Sequence, residues 1–219
     1  MLANNGSENH AIRSFLIMDD WEQEILKKGY TLIAGVDEAG RGPLAGPVVA
    51  ASVIFQPGDI PMGIKDSKEL SPLQRSRLAE AIKEKAAAWS VAVVSADQID
   101  CLNILQATIR AMTAAVSTLN IRPQYIITDA VKLPGITIPH LPLVHGDRLC
   151  VSVGAASILA KVSRDYLMDR WSMEYPQYGF SKHKGYSTPE HLMALQKYGP
   201  CPIHRKTFKG VKELLGVVG

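Results

Sequence analysis

Residues 34–46 read AGVDEAGRGPLAG, and the parsing of this stretch decides the fold. An apolar run, TLIAGV, leads into it and another, VVAASVIF, leads out. Both have the length and apolar density of buried strands. A connection of about ten residues, rich in glycine and proline, joins them, so antiparallel pairing is expected. Two adjacent carboxylates, Asp37 and Glu38, stand where the first strand ends, and Gly40, Arg41 and Gly42 follow at once. The glycines admit three readings. A dinucleotide loop would need another spacing and a helix, not a strand, behind it. A plain turn would gain little from two neighbouring acids. Close approach of the backbone to a ligand, with Arg41 supplying charge, accounts for acids and glycines together: cations on one side, a phosphodiester on the other.

Outward from that stretch the chain reads as alternating strands and helices. Residues 1–17 form a loose leader, and DDWEQEILKK (19–28) a short helix with acids first and lysines last. Ser71 and Pro72 open a helix as N-cap and first residue, and WSVAVVSA follows as a strand. The spacing of Ile99, Leu102, Leu105, Ile109, Met112 and Val116 predicts one helix over about 97–119. YIITDA is a strand ending in Asp129. Asp147 is expected to cap a long helix over about 148–173, whose first half, VSVGAASILA, is small and apolar on most sides. Beyond Tyr175 the chain turns aromatic, basic and glycine-containing, with a helix started by Thr188 and Pro189. Strands first and a helical basic part last indicate an α/β domain with a C-terminal helical appendage.

The 219 residues are 47% hydrophobic and 21% charged, enough for a sizeable core and unlike a disordered chain. No apolar run approaches the ~20 residues that span a bilayer, and the N-terminal residues lack the pattern of a secretory signal. Cys101, Cys150 and Cys201 are odd in number and widely spaced, so neither a disulfide framework nor a cysteine zinc site is indicated, and a cytoplasmic location is expected. The net charge of +3 is uneven: residues 161–219 carry ten Lys and Arg against five Asp and Glu. Such a basic segment attracts phosphate backbones, although on charge alone a solvated face explains it better.

Three positions hold acids on unusual ground. Asp37 and Asp129 each end an apolar strand, where α/β sheets place their sites. Asp165 lies on the long helix, on the stripe of Ile158 and Val162. Clustered carboxylates need a compensating charge, and hard oxygen ligands suit Mg²⁺ or Mn²⁺. Each acid alone has a structural alternative. Asp129 could be a loop acid, Asp37 could accept from its turn, and Asp165 could pair with Lys161, Arg164 or Arg170. Asp169 is the rival of Asp165 on the helix.

Several further motifs stand in order along the chain: DSKELS (66–71), ITDA (127–130), ASILAKVSRD (156–165), YGFSKHKGYSTPEH (178–191) and HRKTF (204–208). With the opening stretch they resemble the motifs of bacterial type 2 ribonucleases H, over about residues 33–208. Thr207 replaces a common serine and keeps its hydroxyl. The resemblance implies a ribonuclease H-like fold: a mixed five-stranded sheet flanked by helices, with a small C-terminal helical appendage. It divides the chain into a leader (1–17), a catalytic domain (18–174) and a basic segment completing the substrate groove (175–219).

Carried over position by position, the metal-binding and catalytic acids are Asp37, Glu38, Asp129 and Asp165, holding two Mg²⁺ or Mn²⁺ ions. Gly40, Arg41 and Gly42 match the loop that senses a ribose 2′-hydroxyl, and Tyr186 the tyrosine that packs on the neighbouring deoxyribose. Lys68, Lys161 and Arg164 fall in motifs that could touch phosphates. The implied reaction is hydrolysis of the RNA strand of RNA–DNA hybrids, and cleavage 5′ to ribonucleotides embedded in duplex DNA, by a monomer with no membrane partner. Two other readings compete. An actin-like phosphotransferase would need a second phosphate loop, which the sequence lacks. A nucleic-acid binder without activity would leave four acids without a purpose.

Overall fold

The computed structural model describes residues 20–64 and 70–216. The leader and the 66–69 part of DSKELS, with Asp66 and Lys68, lie outside the described residues.

Five strands form one mixed sheet in the order β3-β2-β1-β4-β5. They are β1 (Ile33–Ala39), β2 (Val48–Ile54), β3 (Ala88–Val94), β4 (Tyr125–Asp129) and β5 (His140–Leu143). The first two pair antiparallel as expected, with Asp37 opposite Ala51. By contrast β1 and β4 are parallel, and their register sets Val36 beside Thr128. The next residues are Asp37 and Asp129, so two carboxylates leave neighbouring strands at one edge. Strands in a sheet lie about 4.8 Å apart. Sheet topology alone therefore brings these two acids together from positions far apart in sequence.

Helices cover both faces. On one, Ala34, Val36 and Ile126 pack against Ile99, Ala107, Ala111 and Met112. These belong to α3 (Ala96–Leu102) and α4 (Ile104–Ser117). One helix was expected here, and the chain breaks at Asn103. This residue has φ 70°, and its side chain accepts from Gln106 N at 3.1 Å. Asparagine tolerates the left-handed region and caps well, so it ends one helix and starts the next while the apolar stripe runs on across the break. By contrast α2 (Pro72–Lys85) begins as the sequence indicates, with Ser71 and Gln74 forming a capping box.

The other face carries α6 (Val151–Glu174), which packs on β1 and β2. Its contact with β1 is close because Gly35 has no side chain: a Cβ there would lie 2.1 Å from the carbonyl carbon of Ser152. Asp147 does not cap this helix. It lies inside a separate short helix, α5 (Gly146–Leu149), and the extended Cys150 separates the two. The start of α6 is capped from a distance instead. Glu22 of α1 (Asp20–Lys27) is buried and accepts from Ser152 N at 3.1 Å and from the Ser152 hydroxyl, a carboxylate at the positive end of a helix dipole.

After α6 come α7 (Phe180–His183) and α8 (Pro189–Tyr198), the helical appendage. Tyr178, Phe180, Leu195 and Val211 pack there on Leu44, Ala45 and Met168. The segment after β1 thus rests on the appendage. Leu44 N donates to Gly185 O and Gly46 N to Ile203 O, each at 2.8 Å. Among the described residues no helix is long and apolar enough to cross a membrane.

Candidate active site

Asp37 is buried at the end of β1. Its carboxylate accepts from Glu38 N at 2.7 Å and from the Ser157 hydroxyl of α6. Burial holds its pKa well above the ordinary carboxylate range, and the charges of Glu38 and Asp129 push the same way. The pKa of Glu38 is also raised by burial, and Asp129 adds to the rise while Arg41 opposes it. Asp129 thus destabilises the ionised forms of both Asp37 and Glu38, and Glu38 that of Asp37.

The residues present fit a hard cation. Among the described residues Glu38 Oε2 is buried without a hydrogen-bond partner, and the carboxylates of Asp37 and Asp129 stand beside it. Among the described residues, no three acid, histidine or cysteine side chains close around one point as a finished cage. Mg²⁺ commonly needs only one or two carboxylates, completing its shell with water and substrate phosphate, so an open cluster is consistent with that chemistry.

Asp165 stands apart from this trio. It forms an ion pair with Lys161 at 2.7 Å. It lies eight residues beyond Ser157, about 12 Å further along the helix axis. Asp147, which the sequence suggested as a cap, lies nearer the acids. Gly146 N donates to Asp129 Oδ1 at 2.9 Å, and the Asp147 carbonyl lies against Gly154, one turn before Ser157. Two β4 residues flank Gly146, whose added Cβ would fall 3.3 Å from Thr128 O and 3.5 Å from Asp129 Cα. The signal available in the sequence was the HGD triplet itself: an acid beside a glycine at the end of a strand, as at Asp37.

A cleft of about 450 Å³ opens beside Glu38 and runs along the loop of Gly40, Arg41 and Gly42. Ser157, Lys161 and Arg164 line it from α6 at i, i+4 and i+7, one face of a helix. That spacing was readable in ASILAKVSR. Arg75 of α2 lines it from another side, which the sequence did not suggest. Tyr186 closes it, with Arg164 6.0 Å from the centre of its ring. A Cβ on Gly42 would sit 3.7 Å from Tyr186 Cε1, an ordinary contact.

Gly40 is a glycine for another reason than ligand approach. Its φ is +98°, and a Cβ would lie 2.1 Å from Arg164 Nε. Arg164 is buried under the loop and donates to Pro47 O at 3.0 Å, Lys184 O at 3.0 Å and Ala45 O at 3.1 Å. Its guanidinium is spent on main-chain carbonyls, a different duty from the phosphate contact expected of it. Arg205 does the same from the appendage. Fully buried, it donates to Gly46 O at 2.9 Å, Arg41 O at 2.8 Å, Pro47 O at 3.2 Å and Gly40 O. Burial and the neighbouring charge of Arg164 push its pKa down to about 9, which leaves it charged at neutral pH. In a trans peptide the C=O and the following N–H point opposite ways. With the Gly40 and Arg41 carbonyls on Arg205, the amides of Arg41 and Gly42 point away from it.

A family model described as Ribonuclease HII matches residues 34–211. Among curated proteins, the Ribonuclease HII of Acholeplasma laidlawii is 54% identical over 195 residues, 89% of this chain and 96% of its own. That of Pelotomaculum thermopropionicum is 52% identical over 194 residues, 88% of this chain and 73% of its own. Among solved structures, the ribonuclease H2 of Pyrococcus horikoshii matches with a TM-score of 0.74 and 28% identity, covering 84% of this chain and 96% of that one.

Proposed function

The chain belongs to the ribonuclease HII family, and on that premise we propose that it cuts RNA–DNA hybrids and duplex DNA on the 5′ side of an embedded ribonucleotide. The family membership makes it a metal-dependent endoribonuclease of RNA–DNA hybrids. The finer reading rests on one observation: an open cluster of buried acids stands beside a loop whose Gly40 and Arg41 carbonyls are held on the buried Arg205 and whose following amides are turned away from it.

Asp37, Glu38 and Asp129 would hold the cations. Mg²⁺ or Mn²⁺ held there would supply acidity to a nearby water and offset charge on the leaving 3′-oxygen, and the products would carry 5′-phosphate and 3′-hydroxyl ends. The amides of Arg41 and Gly42 sense the ribose 2′-hydroxyl, the feature that separates RNA from DNA. Tyr186 packs on the next sugar, where deoxyribose fits its ring and an added hydroxyl crowds it. Lys161 and Arg75 line the cleft as phosphate contacts, and the charges of Arg164 and Arg205 favour the phosphodiester from beneath the loop. Lys68 remains a phosphate-contact expectation. All these groups come from one chain, which suits a monomer, and the odd number and wide spacing of its cysteines suit the cytoplasm.

Incubation with a duplex bearing a single ribonucleotide tests the reading. Cleavage 5′ to that nucleotide, requiring Mg²⁺ or Mn²⁺ and stopped by a chelator, is the expected result. Cleavage of continuous hybrids alone would remove the junction reading.

The fourth acid is decided by a pair of variants. The geometry favours Asp147 over Asp165, because Asp147 follows the residue bonded to Asp129 while Asp165 is occupied by Lys161. Asp147→Asn is expected to lower kcat by about 10²-fold or more, and Asp165→Asn by less than about fivefold. The reverse ranking would return the role to Asp165.

A further inference from the structure

Two histidines with no part in the chemistry above lie fully buried in the appendage. His191 Nδ1 is 2.8 Å from Tyr186 O, and His191 Nε2 is 3.0 Å from His204 Nε2. Cys201 N lies 2.9 Å from His204 Nδ1, with Cys201 Sγ at 3.1 Å. The ends of this chain fix its direction. A carbonyl only accepts, so His191 Nδ1 carries a proton. A main-chain amide only donates, so His204 Nδ1 is bare. The one arrangement that satisfies both ends has His204 Nε2–H donating to His191 Nε2, with both rings neutral. Cys201 O, 3.3 Å from His204 Nδ1, is the longer contact and would accept only a proton for which the amide leaves no room.

The two ends belong to opposite sides of the cleft. His204 precedes Arg205 and bridges to Ala45, in the segment that holds the Gly40–Gly42 loop. His191 holds the carbonyl of Tyr186, whose ring closes the cleft over Gly42. We infer that the His191–His204 hydrogen bond is the tie that sets Tyr186 against this loop, which makes the two imidazoles positioning residues for recognition of the RNA–DNA junction. The inference rests on the junction reading of Tyr186 given above.

The tie needs a neutral His191, because a proton on its Nε2 sets two N–H groups face to face. The surroundings keep both rings neutral. Burial is the main cause that takes each pKa down to about 4. The titratable neighbours are His183, stacked on His191 with centroids 4.5 Å apart, Tyr178, 4.9 Å from His204, and the Cys201 thiol. No carboxylate is among the causes of either shift.

The test compares single-turnover cleavage of a one-ribonucleotide duplex with that of a continuous hybrid. His204→Leu is expected to lower the ratio of the two rates about fivefold, the worth of one ordinary hydrogen bond. His204→Gln, whose amide can still donate to His191, should restore most of it. Added to Tyr186→Ala, His204→Leu should lower the ratio no further. If Tyr186→Ala shifts the ratio and His204→Leu does not, the tie is wrong while the junction reading stands. If Tyr186→Ala leaves the ratio unchanged, the junction reading fails. The tie is then judged by ring ¹⁵N spectra at pH 6. Protonated Nδ1 on His191 and protonated Nε2 on His204 support it; any other pair of tautomers overturns it. Should His204→Leu fail to fold, His191→Asn, which keeps the bond to Tyr186 and removes the acceptor, takes its place with the same expected loss.

Discussion

Asp37→Asn is expected to lower cleavage of an RNA–DNA hybrid by more than about 10³-fold, the scale on which a central electrostatic group acts, and to raise the melting temperature of the metal-free protein. Both effects have one origin. Asp37 is buried among like charges, so its folded pKa stands above the unfolded value of 3.8. A carboxyl shifted upward binds more protons folded than unfolded as pH rises past 3.8, so stability falls through that window and stays lowered at neutral pH. Asparagine keeps the shape and removes the charge. The repulsion that costs stability is what attracts a cation, so Mg²⁺ or Mn²⁺ should stabilise the native protein more than the variant. Calorimetry with and without metal, set beside the cleavage rate, checks all three statements. A variant that cleaves at near-native rate, or melts lower than the native protein without metal, would remove Asp37 from the centre of the site.

The sequence carried the parts of the fold that depend on neighbours in the chain. Ser71 and Pro72 announce a helix start because a cap is a contact between residues three apart. The antiparallel β1–β2 pair is legible because a short glycine-rich connection leaves few other geometries. The helix break at Asn103 was hidden by an apolar stripe that continues through it. Asp147 looked like a cap because the polar-to-apolar step before VSVGAASILA is what caps produce. The true cap is Glu22, 130 residues away, and no local pattern could reveal it.

The site divides along the same line. Asp37 and Asp129 can be picked out because each ends an apolar strand; that they meet follows from the parallel register of β1 and β4. The basic HRKTF segment misleads most, since charge suggests a solvated or phosphate-facing patch while Arg205 within it is fully buried. Asp100 holds that segment from behind, accepting from Lys206 N, Thr207 N and the Thr207 hydroxyl. The hydroxyl shared by serine and threonine is thus the part of residue 207 that matters.

Arg205→Met is expected to lower stability by roughly 3–5 kcal/mol and the melting temperature by on the order of 10 °C. Arg205 donates to the carbonyls of Gly40, Arg41, Gly46 and Pro47 from a fully buried position. Methionine fills similar volume, so the loss reads the unmet carbonyls rather than a cavity. Lysine keeps the charge but is a point donor without the planar fork, so it can serve only part of the set and should fall between methionine and the native residue. The loop amides are oriented only while their carbonyls are held, so cleavage should fall in all such variants, more steeply than the folded fraction at the assay temperature. The ratio of activity to folded fraction therefore separates a role in orienting the loop from a role in packing. A methionine variant that melts within about 2 °C of the native protein would mean the carbonyls find other partners, and the loop would then owe its shape to its glycines and to Arg164 alone.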